Sequence, residues 1–234
     1  MSGRVGPNIV TNNLVFAIDA ANLSSYVNGS TVLNDQTVNQ NNGTLTNGPT
    51  FDSADGGSIN LDGVNDYVDF GNPTELQFTT SFSISLWFKS SDTSDYILIA
   101  KDKTNGHLTN ERSWALWGNR YSGTNVLNFT VRNGGSNYGV VGTVDHNDGN
   151  WHHVVATYES STALKLYVDG NLEETNTTAI PATINDVTSN VNIGRSDANF
   201  WHMNGKISNI QLYTGVLSST EVLQNYNALK NRFV

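Results

Sequence analysis

The sequence predicts an all-β sandwich closed by one C-terminal helix, and three observations carry that prediction. Only 14% of the 234 residues are charged. Asn, Thr, Ser and Gly abound instead, and these suit turns and sheet faces better than helix surfaces. Short apolar runs recur with Asn-Gly, Asp-Gly or Gly-Pro punctuation between them. The length fits one such domain, since all-β sandwiches run to roughly 200–250 residues as a single unit.

Taken in order, residues 14–20 (LVFAIDA) read as the first strand, after a polar arm over residues 1–13. Turns are expected at Asn42-Gly43 and at Asn47-Gly48-Pro49. Residues 58–61 and 67–70 flank Asp62-Gly63 and are expected to pair with each other. Residues 82–89 (FSISLWFK) alternate cleanly: Phe82, Ile84, Leu86 and Phe88 share one face, Ser83, Ser85, Trp87 and Lys89 the other. That is the pattern of a half-buried strand. Strands follow at 96–101, 113–118, 126–132, 138–144, 151–158 and 164–169, and Asp169-Gly170 forms a tight hairpin turn because both positions accept positive φ. Residues 191–195 and 206–213 complete the sheets.

The C-terminus differs. Ser218-Ser219-Thr220-Glu221 is a capping box, with Leu217 and Val222 placed as a hydrophobic staple. Val222, Tyr226, Leu229 and Phe233 then form one apolar stripe at helical spacing, which predicts a helix over about 219–231 that docks on the sandwich. No linker or internal repeat divides residues 14–234, so they read as a single domain.

Composition excludes several function classes. The chain has no cysteine, which removes disulfides, thiolate zinc sites and cysteine nucleophiles. Twelve Lys+Arg against 21 Asp+Glu leave a net charge of −9 with no basic run, so nucleic acid is not an expected partner. No apolar stretch reaches the roughly 20 residues of a membrane span, and the N-terminus lacks the apolar core of a secretory signal. The sequence thus reads as a complete product assembled in a cytoplasm.

DGVNDYVDFG (62–71), FSISLWFK, WHHVVATYESSTALKLYVDG (151–170) and NGKISNIQLYTGVLSSTEVLQNYNAL (204–229) together resemble the laminin-G-like, concanavalin-A-like lectin/glucanase family. The resemblance runs from Leu14 over nearly the whole chain. It implies two curved antiparallel sheets in jelly-roll order, with function carried by loops at one rim. The opening MSGRVGPNIVTNNLVFAIDAAN and the GTLTNGPTF segment are similar to proteins of tailed phages.

Glycoside hydrolysis is the obvious chemistry on such a fold and needs two carboxylates flanking the sugar bond. Glucanases of this fold carry them as Glu-x-Asp-x-x-Glu or Glu-x-Asp-x-Glu on one strand, and no such motif occurs here. Glu75, Glu111, Glu159, Glu173 and Glu174 fall in loops or turns, and Glu221 caps the helix. His152 and His153 are adjacent on a strand, point to opposite faces and cannot share a metal. His107, His146 and His202 are scattered in loops and suggest no triad.

Calcium is the cofactor the resemblance implies, because laminin-G-like domains often hold one at the loop rim. Asp19, Asp35, Asp62 and Asp66 are the candidate ligands, with Asn39 and Asn65 as neutral helpers. The competing reading is that these residues make turns and cap their own backbone. For sugar binding, the candidates are Tyr121, Tyr138 and the loop residues Phe200, Trp201 and His202, since exposed rings stack on the apolar faces of sugars. Trp87, Trp114, Trp117 and Trp151 lie in strands and are expected in the core.

The leading functional expectation is a non-catalytic virion protein: a capsid decoration, head-fibre or tail-appendage module that touches host-surface glycans. Its arm over residues 1–13 would lie along other virion proteins, capsid or tail. A stand-alone carbohydrate-binding lectin is the alternative, and a glycoside hydrolase ranks third. Homo-oligomerisation suits either binding class, because repeated weak sites gain avidity.

Overall fold

The computed structural model describes residues 7–103, 111–120 and 125–233. The first seven strands are β1 (Leu14–Asp19), β2 (Val32–Leu33), β3 (Gly43–Thr46), β4 (Thr50–Asp52), β5 (Ser58–Asp62), β6 (Tyr67–Asp69) and β7 (Phe82–Lys89). After them come β8 (Tyr96–Asp102), β9 (Arg112–Asn119), β10 (Val126–Asn133), β11 (Ser136–Asp145), β12 (Trp151–Glu159), β13 (Ala163–Val168) and β14 (Asn171–Asn176). β15 (Val191–Ile193), β16 (Asn204–Tyr213) and one helix, α1 (Ser219–Leu229), complete the chain.

Two antiparallel sheets face each other. The first runs β14-β13-β12-β7-β16-β5-β4, and the second runs β11-β10-β9-β8-β15-β6-β3-β2. β16 serves two partners in turn: its residues 204–207 pair with β5, and its residues 209–213 pair with β1. The expected pairing of residues 58–61 with 67–70 does not occur, because β5 belongs to the first sheet and β6 to the second. Asp62 explains the parting. Its Oδ1 accepts the N–H groups of Val64, Asn65 and Asp66, a tight turn that swings the chain from one sheet to the other.

The alternation on β7 builds the core as expected. Phe82, Ile84, Leu86 and Phe88 are fully buried against Leu98, Trp114, Leu116 and Phe129 of the second sheet. The other face of β7, Trp87 apart, is expected in solvent, but Ser83 and Ser85 are buried along with Trp87. α1 and the segment before β1 cover them: Trp87 stacks on Tyr226 and Phe233 at 5.6 and 4.4 Å. α1 begins as the sequence predicts, with Ser218 and Glu221 forming the capping box and Leu217 and Val222 buried in one cluster. Asp169 and Gly170 both adopt positive φ, 51° and 82°, and close the β13–β14 hairpin.

Asn42-Gly43 is not a turn. Gly43 opens β3, and a Cβ there would lie 2.4 Å from the Phe70 ring, so close packing explains this glycine. The arm is in part no arm. Val10 is buried, its N–H donates to Asn225 Oδ1 at 2.8 Å, and its carbonyl accepts from the Tyr213 hydroxyl at 3.2 Å. Asn8 likewise accepts from Gln224 through its carbonyl. Residues 8–13 therefore belong to the domain's own surface, and residues 1–6 lie outside the described residues.

The two long edges of the sandwich differ. At one, β14 and β11 are stitched together: Glu173 Oε1 accepts the N–H groups of Thr143 and Val144, and Asn176 Nδ2 donates to the Gly139 carbonyl. At the other, β4 of the first sheet and β2–β3 of the second part around a cavity of about 550 Å³. Among the described residues no helix is long and apolar enough to cross a membrane.

Candidate functional site

The site builds up from the alternation of β9. Trp114 and Leu116 enter the core, so Ser113, Ala115 and Trp117 face outward on the second sheet. Cross-strand register sets Asn128 of β10 beside Trp117 and Thr130 beside Ala115. On the other side Ala100 of β8 lies beside Ala115, and Asn192 of β15 beside Ala100. The Trp117 indole N–H donates to Thr130 Oγ1 at 3.3 Å. The Arg120 guanidinium lies over the Trp117 ring at 4.5 Å and that of Arg112 at 5.5 Å, while Arg112 Nε donates to Asp102 at 2.6 Å. Burial lowers the Arg112 pKa, and the charge of Asp102 opposes that shift.

The segment between β15 and β16 closes onto this face. Met203 N–H donates to the Gly194 carbonyl, Ser196 N–H to the Phe200 carbonyl and Ile97 N–H to the Trp201 carbonyl. Arg195 stacks on Tyr67 at 3.4 Å and donates to Asn199 Oδ1. So pinned, the loop sets Trp201 edge-on against Trp117, with ring centroids 5.0 Å apart, and leaves Phe200 46% exposed beside it. Trp201 has φ +59°, a conformation that costs a bulky residue roughly 1–3 kcal/mol and persists only where the surroundings enforce it. His202 is half-buried next in line. Burial lowers its pKa and the charge of Arg195 acts with it, outweighing the Asn199 backbone hydrogen bond and the charges of Asp62 and Asp66.

Among the described residues, several polar atoms here are buried without a hydrogen-bond partner: Ser113 Oγ, Asn128 Oδ1, Asn192 Oδ1, Arg195 Nε and His202 Nδ1. Such atoms are uncommon in folded proteins and call for a water or a ligand.

Of the expected sugar-binding residues, Phe200, Trp201 and His202 come together. Tyr138 stands apart, because it pairs with Val131 and packs against the core between the sheets. Tyr121 lies outside the described residues. The sequence reading missed Trp117 and its surroundings. The signal was present in RSWALWGN, where tryptophans three apart on a strand must face opposite ways.

The four candidate calcium ligands do not converge. Asp19 pairs with Arg232, and Asp35 accepts from the N–H groups of Ala17, Thr37 and Asn41. Asp62 holds its turn, and burial with the nearby Asp62 charge raises the Asp66 pKa. Among the described residues no group of three His, Cys, Asp or Glu side chains gathers as a metal set.

One cluster of titratable groups was not expected. His146 and His152 meet edge to face at 4.9 Å; His146 bonds Glu173, and His152 bonds both Asp169 and Asp148. Burial works to lower the His152 pKa, but the hydrogen bonds and charges of Asp169 and Asp148 outweigh it and raise it. His153 takes the opposite face as expected. It bonds Ser85 Oγ at 2.9 Å, and burial lowers its pKa to about 3.

Two facing antiparallel sheets with one short C-terminal helix make a jelly-roll β sandwich. The family model of the concanavalin A-like lectin/glucanases superfamily matches residues 62–223, and the chain belongs to that superfamily. No curated protein matches it in sequence. Solved structures resemble it in fold. The binding domain of Paraclostridial Mosquitocidal Protein 1 superposes with a TM-score of 0.71 at 17% identity, covering 92% of this chain and 52% of that one. The binding domain of botulinum neurotoxin DC in complex with SialylT gives 0.70 at 16% identity, covering 93% and 51%. The botulinum neurotoxin serotype D ligand binding domain in complex with N-acetylneuraminic acid gives 0.67 at 12%, covering 92% and 50%. The chain spans about half the length of these domains.

Proposed function

We propose that the chain is a non-catalytic glycan-binding domain whose recognition element is the loop carrying Phe200 and Trp201. The observation that carries this reading is the exposed Phe200 ring, held on a pinned backbone beside Trp201, itself edge-on to Trp117. Rings supply the stacking surface that sugars use, and fixed polar groups supply direction. A non-catalytic role fits the carboxylates: none of the six glutamates lies on a strand of the second sheet, and Glu173 and Glu221 are engaged in structural hydrogen bonds. The sugar ligands named for two of the neurotoxin domains agree with this reading, although each of those domains is about twice this chain in length.

The setting we propose is a virion appendage that meets glycans on the host surface, repeated in a homo-oligomer so that weak sites act together. Its support is the similarity of the opening segment to tailed-phage proteins. A glycan array on the full chain tests the binding role. Hits that disappear in Phe200→Ala and Trp201→Ala support it, and an array without hits rejects it. Labelling of purified particles by an antibody against the chain tests the setting.

A further inference from the structure

We propose a second binding site, separate from the Trp201 loop, at the open edge of the sandwich, and that its ligand is a neutral saccharide. The opposite edge is closed by Glu173 and Asn176, so the gap here is a local feature of the fold. The cavity of about 550 Å³ lies between residues 26–31, the turn at Asn47–Gly48, and β3–β4. That falls inside the range of roughly 300–1,000 Å³ typical of small-ligand sites. A second hollow of about 450 Å³ continues along β4 and shares Thr50 and Phe51 with it.

The lining argues for the ligand class. One wall is apolar: the half-buried Phe51 ring leans on Tyr26 at 5.2 Å and 34°, with Leu45 beside them. Around the mouth stand Asn28, Thr31 and Thr50, all exposed, and none of their side chains is hydrogen-bonded within the described residues. An aromatic wall with free amide and hydroxyl groups matches the two faces of a pyranose. No charged side chain lines the main cavity, and the chain carries −9 overall, so neither an anion nor a cation finds a partner there. In the adjoining hollow Lys206 is held by Asp52.

The site is preformed. Leu45 N–H donates to the Thr31 carbonyl and Ser30 N–H to the Val27 carbonyl, so residues 27–31 are tied back to β3. Asn47, at φ +69°, donates from Nδ2 to the Asn65 carbonyl and fixes the opposite lip. A site that needs no ordering on binding keeps more of its contact energy as affinity.

The test is an amide chemical-shift titration of the full chain with maltose, cellobiose, lactose and chitobiose. The expected result is movement of the Gly29, Thr31, Gly48 and Phe51 amides with at least one of them. Thr50→Arg, which fills the mouth from an exposed position, should weaken that binding by about tenfold or more. Asn28→Ala combined with Thr31→Val gives the same readout without added bulk, should the arginine disturb the edge. Phe200→Ala and Trp201→Ala should leave these shifts unchanged. Silence at those four amides with all four saccharides overturns the proposal, as does binding that persists in both edge variants. Loss of shifts only around residues 200–202 would count against the proposed function above and leave the edge site standing.

Discussion

Arg232 donates from Nη1 to both carboxylate oxygens of Asp19, at 3.0 and 2.9 Å, and from Nη2 to Ser208 Oγ at 3.0 Å. This fork ties the residues after α1 to the end of β1 and to β16, across 213 positions of sequence. Charge-assisted hydrogen bonds of this kind exceed neutral ones in strength. Arg232→Ala is expected to lower stability by about 1–3 kcal/mol, measured by urea unfolding. The same fork fills the Asp19 carboxylate, so calcium added after chelation should not move the melting temperature through this residue. A calcium-induced rise that is lost in Asp19→Asn would contradict that.

The segment before β1 gives a second test. Relative to a chain lacking residues 1–6, one lacking residues 1–13 exposes the surface under Val10 and strips Asn225 and Tyr213 of one partner each. The longer deletion should cost about 3 kcal/mol or more, from the buried Val10 side chain and the hydrogen bonds made by Asn8, Val10 and Asn13. Particle association of the two deletions, measured side by side, separates docking from folding.

His152 and His153 should give opposite pH dependences. The folded-state pKa of His153 lies at about 3, below its unfolded value of roughly 6.5. As pH falls below that unfolded value, the unfolded chain takes a proton that the fold refuses. Stability should then decline by up to about 1.4 kcal/mol per pH unit. His152 is shifted upward, so its contribution is complete below about 6.5 and is lost as pH rises through its folded value. Unfolding measured between about pH 6 and 4.5, above the carboxylate range, should show a slope that His153→Gln flattens. His152→Gln should instead flatten the decline that sets in as pH rises above about 6.5.

Glu173 closes the edge between β14 and β11. Burial works to raise its pKa, but His146 and the amides of Thr143 and Val144 outweigh it and hold the carboxyl below the usual range. Glu173→Ala leaves those two amides without their acceptor and should cost about 2 kcal/mol. Hydrogen exchange should quicken at Thr143 and Val144 and stay slow at Leu116 on β9.

Local signals were legible in the sequence wherever a few neighbouring residues decide the outcome. The β7 alternation, the Asp169-Gly170 hairpin and the Ser218–Glu221 capping box all appear as expected. What depends on distant partners did not show. Nothing near Ser83 or Ser85 says that α1 will cover them, and nothing near Tyr67 says that β6 will join the sheet opposite β5. The site divides the same way. Phe200, Trp201 and His202 stand out as a loop triplet, but Trp117 becomes their neighbour only through the closure of residues 194–203. His146 and His152 meet because the turn between β11 and β12 folds back on itself, and residue counting alone does not supply that.

The placement of α1 has one more consequence. The helix and residues 8–13 lie together on the outer face of the first sheet, while Trp117 and Trp201 lie on the outer face of the second. The described ends of the chain, near residues 8 and 233, therefore both lie at the back of the molecule. A carrier joined at either end would hold the domain like a stamp by its handle, with the aromatic loop facing outward and the open edge accessible from the side.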